Sequence, residues 1–230
     1  MAMQHTPLLM SNILDRGATV APYEEIVTLT ESGVRRQTYR ETRDRAHQLA
    51  HALAGSGIKV GDRVGTFMWN GSRHLEAYHA VAGMGAVLHT LNVRLSPKDL
   101  EYIINHAEDQ IIIVDADVLP LLEVLNGKIP CVRKVVVATE EGFEGWSTEL
   151  PDPVDYEAFI EGQPTYFDWP QIDENSPMGL CYTSGTTGNP KGTVHYHRDL
   201  MAITDCFPRY VGKITPDDVI TGTPPLAFTF

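Results

Sequence analysis

The residues best suited to chemistry lie where Thr183-Ser184-Gly185-Thr186-Thr187-Gly188-Asn189-Pro190 runs into Lys191 and Gly192. Thr183, Ser184, Thr186 and Thr187 offer hydroxyl donors. Gly185 and Gly188 let backbone N–H groups approach an anion closely, and a turn of such groups makes a concave anion site. Lys191 adds a positive charge on a flexible stem. Phosphate oxygens match that set. The common nucleotide P-loop, GxxxxGK[ST] opening into a helix, does not fit, because proline precedes the lysine and glycine follows it. The flanks "GLCY" and "GTVHYH" read as strands, so the turn lies between two strands. A polar surface loop would share this composition; the order of the residues carries the signal.

A turn of this kind needs a scaffold, and the chain upstream supplies one. Glu25–Thr30 and Val34–Thr38 flank Glu31-Ser32-Gly33 as a hairpin. Thr38 and Glu41 have capping-box spacing, followed by Ala46, Leu49, Ala50 and Leu53 at helical period, with Gly55 and Gly57 as the stop. Strands are predicted at Val64–Trp69 and Ala86–Leu91, at Ile111–Val114 and at Lys134–Ala138. Between them Ser72 and Ser96 read as helix caps, the second with Pro97 at the first helical position. Another helix is expected around Val118–Leu125. Strands alternating with helices predict an α/β fold with a mostly parallel sheet flanked by helices, and an N-terminal β-hairpin. The all-apolar runs "IIIVD" and "KVVVA" suit strands covered on both faces. The first subdomain is expected over 1–177, and 178–230 is the start of a second that holds the turn. Within it Asp199–Tyr210 is predicted as a helix and Val219–Thr223 as a strand.

Charge is uneven. The formal net charge is −12, yet residues 140–177 hold eleven of the 30 acidic residues and none of the 18 basic ones. The remainder is nearly neutral. With five prolines, 140–177 reads as an acidic linker carrying one short helix, Tyr156–Ile160. No basic stripe suits nucleic acid. No apolar run spans a bilayer, and the start lacks the pattern of a signal peptide. The separated cysteines Cys131, Cys181 and Cys206 suggest neither zinc nor disulfides and fit a reduced, cytoplasmic setting.

The string from Thr183 to Gly192 after an apolar strand closely resembles the phosphate-binding signature of the adenylate-forming (AMP-binding) superfamily, which includes acyl-CoA synthetases. "WNGSRHLEAYHAVAGMGAVLHTLNVRL", "YIINHAED" and "SPMGLCYTSGTTGNPKG" are similar to the medium-chain fatty-acid–CoA ligase branch, over residues 10–192. "VHYHRDLMAITDCFPRY" and "TPPLAFTF", in 193–230, resemble the benzoate and 2-aminobenzoate CoA-ligase branch. The resemblance implies the N-terminal part of the synthetase fold and an AMP-forming acid–thiol ligase using ATP, Mg and coenzyme A. It implies that Thr183, Ser184, Gly185, Thr186, Thr187, Gly188 and Lys191 hold the β and γ phosphates, with Ser184 reaching the Mg²⁺. Phe228 stands where fatty-acid enzymes have a histidine, in a Pro-x-x-His turn. That position implies a wall of the acyl pocket, although an aromatic there suits plain core equally. Fatty and aryl carboxylates both stay open as substrates, and a homodimer as an assembly. The adenine and ribose motifs and the late catalytic lysine of such enzymes fall after Phe230, so this chain alone is expected not to complete catalysis. The competing reading is a non-catalytic fragment that binds pyrophosphate or supplies a dimer surface.

Other candidates are weaker. His195 and His197 would share one side of a strand, but no third metal ligand is placed near them, and packing or hydrogen bonding is the reading kept. His74, His79, His89 and His106 read as partly buried structural histidines. Met84, Trp69 and Tyr78 read as core, and Cys181 as a small buried hydrophobe.

Overall fold

Ile111–Asp115 and Lys134–Ala138 are apolar on both sides because both sides are covered. In the computed structural model, which describes residues 6–30, 33–139, 145–183, 188–215, 217–222 and 226, they are neighbouring central strands of a seven-stranded sheet. The elements run α1 (Ser11–Val20), β1 (Glu25–Thr30), β2 (Gly33–Thr38), α2 (Tyr39–Gly55), β3 (Arg63–Phe67), α3 (Ser72–Gly83), β4 (Val87–Thr90), α4 (Pro97–Ala107) and β5 (Ile111–Asp115). Then come α5 (Leu119–Glu123), β6 (Lys134–Ala138), β7 (Pro153–Asp155), α6 (Tyr156–Ile160), β8 (Pro177–Thr183), β9 (Lys191–Tyr196), α7 (His197–Cys206) and a π-helical turn, Phe207–Gly212. The predicted α/β class, the mostly parallel sheet and the N-terminal hairpin are all present.

The sheet order is β7-β6-β5-β3-β4-β8-β9, parallel throughout except for the antiparallel β8–β9 pair. Side chains alternate across it. Ile111 and Ile113 join Leu49, Leu53, Ala77 and Val81 on the α2–α3 face. Ile112 and Val114 join Leu100, Ile103, Ile104 and Leu122 on the α4–α5 face. The chain leaves β3 toward α3 on one face and leaves β5 toward α5 on the other. Diverging connections open a crevice at the carboxyl ends of neighbouring strands, where α/β folds take their ligands.

Of the three helix caps expected from the sequence, at Thr38, Ser72 and Ser96, two form. Thr38 Oγ1 accepts from the Glu41 N–H, and the Glu41 carboxylate accepts from the Thr38 N–H at 2.7 Å. Ser96 accepts from the Asp99 N–H, with Pro97 behind it. Ser72, expected as a cap, is instead the first residue of α3; Gly71 holds the cap position, and the buried Ser72 hydroxyl has no partner among the described residues. Its backbone N–H donates to Thr28 Oγ1 at 3.1 Å, which ties the hairpin to α3.

The acidic stretch is more than a solvated linker over its described part. Pro153–Asp155 pairs with β6 at the sheet edge, where a proline's missing N–H leaves no gap in the ladder. Tyr156 is fully buried, and Phe167 and Trp169 pack against the α2–α3 core. Trp169 Nε1 donates to Asp15 Oδ2 at 2.9 Å, and the Phe167 N–H donates to His47 Nδ1 at 2.7 Å. The boundary expected at residue 178 lies inside β8, a strand of the same sheet.

Toward the end of the chain the sequence reading needs correction. The helix expected at Asp199–Tyr210 begins at His197 and leaves α-geometry after Cys206. The strand expected at Val219–Thr223 is absent from its described residues, 219–222, where Val219 and Ile220 are highly exposed. An apolar run predicts a strand only where a neighbouring edge takes its hydrogen bonds. Trp69, expected in the core, is 40% exposed, because its indole N–H donates to Asp117 Oδ2 at 2.8 Å.

Candidate phosphate-binding turn

β8 reaches the site because its apolar residues pair in parallel with β4, with Leu88 opposite Gly179 and Thr90 opposite Cys181. Thr183 therefore emerges at the carboxyl end of the sheet. β9 returns antiparallel, with Lys191 directly opposite Thr183 and Gly192 opposite Tyr182. The sequence expectation of a turn between two strands holds. Thr183 and Lys191, the first and last of the predicted phosphate ligands, stand side by side as its base, and both are exposed to solvent. Gly188 has φ +97°, a left-handed conformation that side chains disfavour, with open space around it. Its requirement is thus for backbone conformation, not for room. Ser184, Gly185, Thr186 and Thr187 lie outside the described residues, as does Phe228.

Polar side chains that the sequence reading did not assemble steady the base of the turn. Tyr182 directly precedes Thr183, and its hydroxyl bonds His106 Nδ1, in the last turn of α4, at 2.6 Å. Burial, with Asp109 nearby, pushes the Tyr182 phenol up to about 12, so it keeps its proton. Its ring lies 5.1 Å from that of His89. His89 Nδ1 in turn bonds Asp109 Oδ2 at 2.7 Å, with both residues fully buried. Burial raises the Asp109 carboxyl against the opposing pull of His89. The remaining atoms of this pair, His89 Nε2 and Asp109 Oδ1, have no partner among the described residues. On the other face of the strand, Cys181 Sγ is 3.1 Å from Thr90 Oγ1, and the thiol is buried as expected.

A crevice opens where the connections after β3 and β5 diverge. It is a cavity of about 460 Å³ bounded by Trp69–Arg73, by Asp115–Asp117 and by Thr28–Thr30 of the hairpin. The Trp69 N–H donates to Asp115 Oδ2 at 2.7 Å, which fixes the β3 loop to the β5 loop. The two histidines weighed as a metal pair are not on one strand, since β9 ends at Tyr196 and His197 opens α7. His197 Nδ1 accepts the Met10 N–H at 3.1 Å. Among the described residues no group of three or more His, Cys, Asp or Glu could hold a metal ion.

The parallel sheet, the helices on both its faces and the crevice at its carboxyl end define an α/β protein. Its family follows from comparison: residues 14–230 match the AMP-binding enzyme model, and the chain belongs to that family. It is 37% identical over 226 residues to the medium-chain-fatty-acid–CoA ligase of Ectopseudomonas oleovorans, covering 96% of this chain and 41% of the relative. It is 42% identical over 200 residues to the long-chain-fatty-acid–CoA ligase of Thermus thermophilus, covering 86% and 35%. The crystal structure of the anthranilate CoA ligase AuaEII in complex with anthranoyl-AMP superposes with a TM-score of 0.76 at 28% identity, over 90% of this chain and 38% of that one. The chain thus spans about two fifths of the length of the curated relatives it matches. Among the described residues no helix is long and apolar enough to cross a membrane.

Proposed function

We propose that this chain forms part of an ATP-dependent acid–thiol ligase and contributes the turn that holds the triphosphate. The observation that carries this reading is the pairing of Thr183 with Lys191 across the mouth of a glycine-rich turn at the carboxyl end of a parallel sheet. In the proposed reaction a carboxylate oxygen attacks the α-phosphorus of ATP. The bond from the α-phosphorus to its bridging oxygen breaks, and pyrophosphate leaves. The thiol of coenzyme A then attacks the acyl carbon, AMP departs and a thioester remains. Charge builds on the leaving pyrophosphate, so fixed donors beside it lower the barrier. The hydroxyls of Thr183, Ser184, Thr186 and Thr187, the N–H groups around Gly185 and Gly188, and the Lys191 ammonium are assigned that role.

A magnesium ion bound with the triphosphate neutralises phosphate charge. The donors of the turn are hydroxyls and backbone groups without a carboxylate, which suits a hard cation that keeps most of its waters, and Ser184 would be its protein ligand. The free thiols Cys131, Cys181 and Cys206 support a reducing, cytoplasmic setting.

Fatty acids are the first substrate class, by likeness to the two fatty-acid ligases. Phe228, in place of a histidine, favours aryl acids as the second, and the anthranilate ligase among the structural neighbours supports it. Carboxylate-dependent exchange of labelled pyrophosphate into ATP, run over a panel from acetate to decanoate with benzoate and 2-aminobenzoate, tests both. The reading expects exchange that needs Mg²⁺ and one carboxylate class, in a polypeptide of the relatives' length carrying these residues. Exchange indifferent to any carboxylate overturns it.

A further inference from the structure

Residues 163–169, the strap that follows α6, belong to no helix or strand, yet their backbone is held from one side. Three side chains of α2 do this. Gln48 Nε2 donates to the Gln163 carbonyl at 3.1 Å. His51 Nε2 donates to the Tyr166 carbonyl at 2.8 Å. His47 Nδ1 accepts the Phe167 N–H at 2.7 Å. His47 and His51 are one helical turn apart, so they share a face of α2. They grip neighbouring residues of the strap with opposite polarity. One ring gives a proton to a carbonyl, and the other takes one from an amide.

That difference fixes the protonation of His47. Its Nδ1 must be bare to accept, and its Nε2, 3.0 Å from Asp15 Oδ1, must carry the proton to donate. A second proton can go only to Nδ1, where it would face the Phe167 N–H. His51 is indifferent to charging, since its Nε2 donates in either state. The groups around His47 otherwise suit a cation. Burial pulls the Asp15 carboxyl of α1 upward, but His47, the Trp169 indole N–H and Arg43 of α2 more than offset it and keep the carboxylate ionised. The Trp169 ring lies 4.5 Å from the imidazole and the Tyr166 ring 6.0 Å, and aromatic faces attract cations. The strap itself carries the acid Asp168 beside Phe167. His79 of α3 also lies near Asp15; burial pushes it down to about 4, so it adds no competing charge near neutrality. Burial and the Phe167 N–H oppose a charged His47, and opening the strap relieves both.

We propose that His47 is a proton-operated catch on the strap: on taking a second proton its ring keeps Asp15 and lets go of Phe167, so that residues 163–167 open locally while the sheet stays folded. Trp169 is the hinge, because its indole N–H remains on Asp15 Oδ2 at 2.9 Å. Phe167 is the part set free; its ring packs against the α2–α3 core and lies 4.8 Å from that of His51. Charging and opening are linked, because the charge is easier to hold once the amide has left, so opening grows as pH falls.

Nitrogen-15 spectra of the histidine rings and amide hydrogen exchange on this chain test the catch. Near neutral pH the His47 proton is expected on Nε2. From about pH 8 to about pH 5.5, across the range in which histidines ordinarily change charge, the protection factor of the Phe167 amide is expected to fall about tenfold or more. It should stay below those of Ile112 and Val114 in β5 at every pH, which marks the opening as local. His47→Asn, whose Oδ1 can accept the amide but takes no proton, is expected to make Phe167 protection flat with pH. His51→Gln, which keeps a donor, is expected to leave the fall in place. A His47 proton on Nδ1 overturns the proposal. So does Phe167 protection that ignores pH, that equals β5 protection throughout, or that still falls in His47→Asn. Should His47→Asn fail to fold, the ring spectrum and the pH profile of the unsubstituted chain decide between these outcomes.

Discussion

Lys191 stands at the end of the turn with its ammonium in solvent and Thr183 across the strand pair. A hydrogen bond from an ammonium to phosphate is worth about 1.5–3 kcal/mol. Lys191→Ala is therefore expected to weaken ATP or pyrophosphate binding about tenfold or more by titration calorimetry. Its exposed position predicts an unfolding midpoint within ~0.5 kcal/mol of the parent. Unchanged affinity would remove the lysine from the site. The buried histidines predict a different residue-scale effect. Burial pushes His74 down to about 4, against the Trp69 carbonyl that favours its protonated form, and burial pushes His79 down to about 4 as well. Both rings stay neutral in the fold, whereas the unfolded chain protonates them below their ordinary 6.5. Stability is thus fully present above that ordinary value and is lost as pH falls toward the depressed one. The slope is about 1.4 kcal/mol per pH unit for each ring. Urea midpoints should fall between pH 6.5 and 4, and His79→Leu should flatten the fall. Carboxylates held low by their partners add their loss only at lower pH; Glu157 is one, where burial pulls upward but Arg45 and Arg73 more than offset it.

At the scale of elements, the fold depends on how α3 meets the strap that follows α6. A Cβ on Gly83, the last residue of α3, would lie 2.9 Å from Trp169 Cζ3. Trp169 cannot swing aside freely, since its indole N–H is bound by Asp15, and Asp15 is bound by His47 at 3.0 Å. Alanine normally favours a helix over glycine by about 1 kcal/mol. Here overpacking should win, and Gly83→Ala should cost about 1–3 kcal/mol in urea denaturation. Adding Trp169→Leu should recover part of that loss, and a stabilised single variant would contradict the packing seen.

Across the whole molecule, one buried carboxylate joins four elements. Glu76 on α3 is fully buried and accepts from Gln37 of β2 at 2.8 Å, from Arg45 of α2 at 2.8 Å and from Tyr156 of α6 at 2.6 Å. Arg45 also binds Glu157 through two nitrogens, and Arg73 joins that carboxylate at 2.9 Å. Burial disfavours the charge on Arg45, but Glu157 and Glu76 more than offset it and hold the guanidinium charged. Removing one member of such a cluster strands the others in the interior. Glu76→Ala should cost about 3–5 kcal/mol, while Glu76→Gln, which keeps an acceptor, should cost less. A loss under ~1 kcal/mol in the alanine variant would mean that the hairpin, α2 and α6 hold together by apolar packing alone.

Signals local in the chain were legible in the sequence. The capping box from Thr38 to Glu41 is four residues long, Ser96 and Pro97 are adjacent, and the run from Ile111 to Val114 declares its own burial. The turn from Thr183 to Lys191 is likewise one continuous string, and its family was readable from that order. Each of these depends on neighbours a few bonds away, so residue type and spacing determine it. Contacts that depend on distant partners were not legible. Tyr182 and His106 are 76 positions apart, and Asn70 and Leu226 are 156 apart. β7 exists because β6 offers it an edge, and the apolar residues 219–222 are no strand because no edge is offered among the described residues. Strand order, the crevice between β3 and β5 and the buried links among Glu76, Arg45 and Tyr156 are products of packing. Tertiary structure alone decides which surfaces meet, since hydrophobic burial is non-directional and sets no partner by itself.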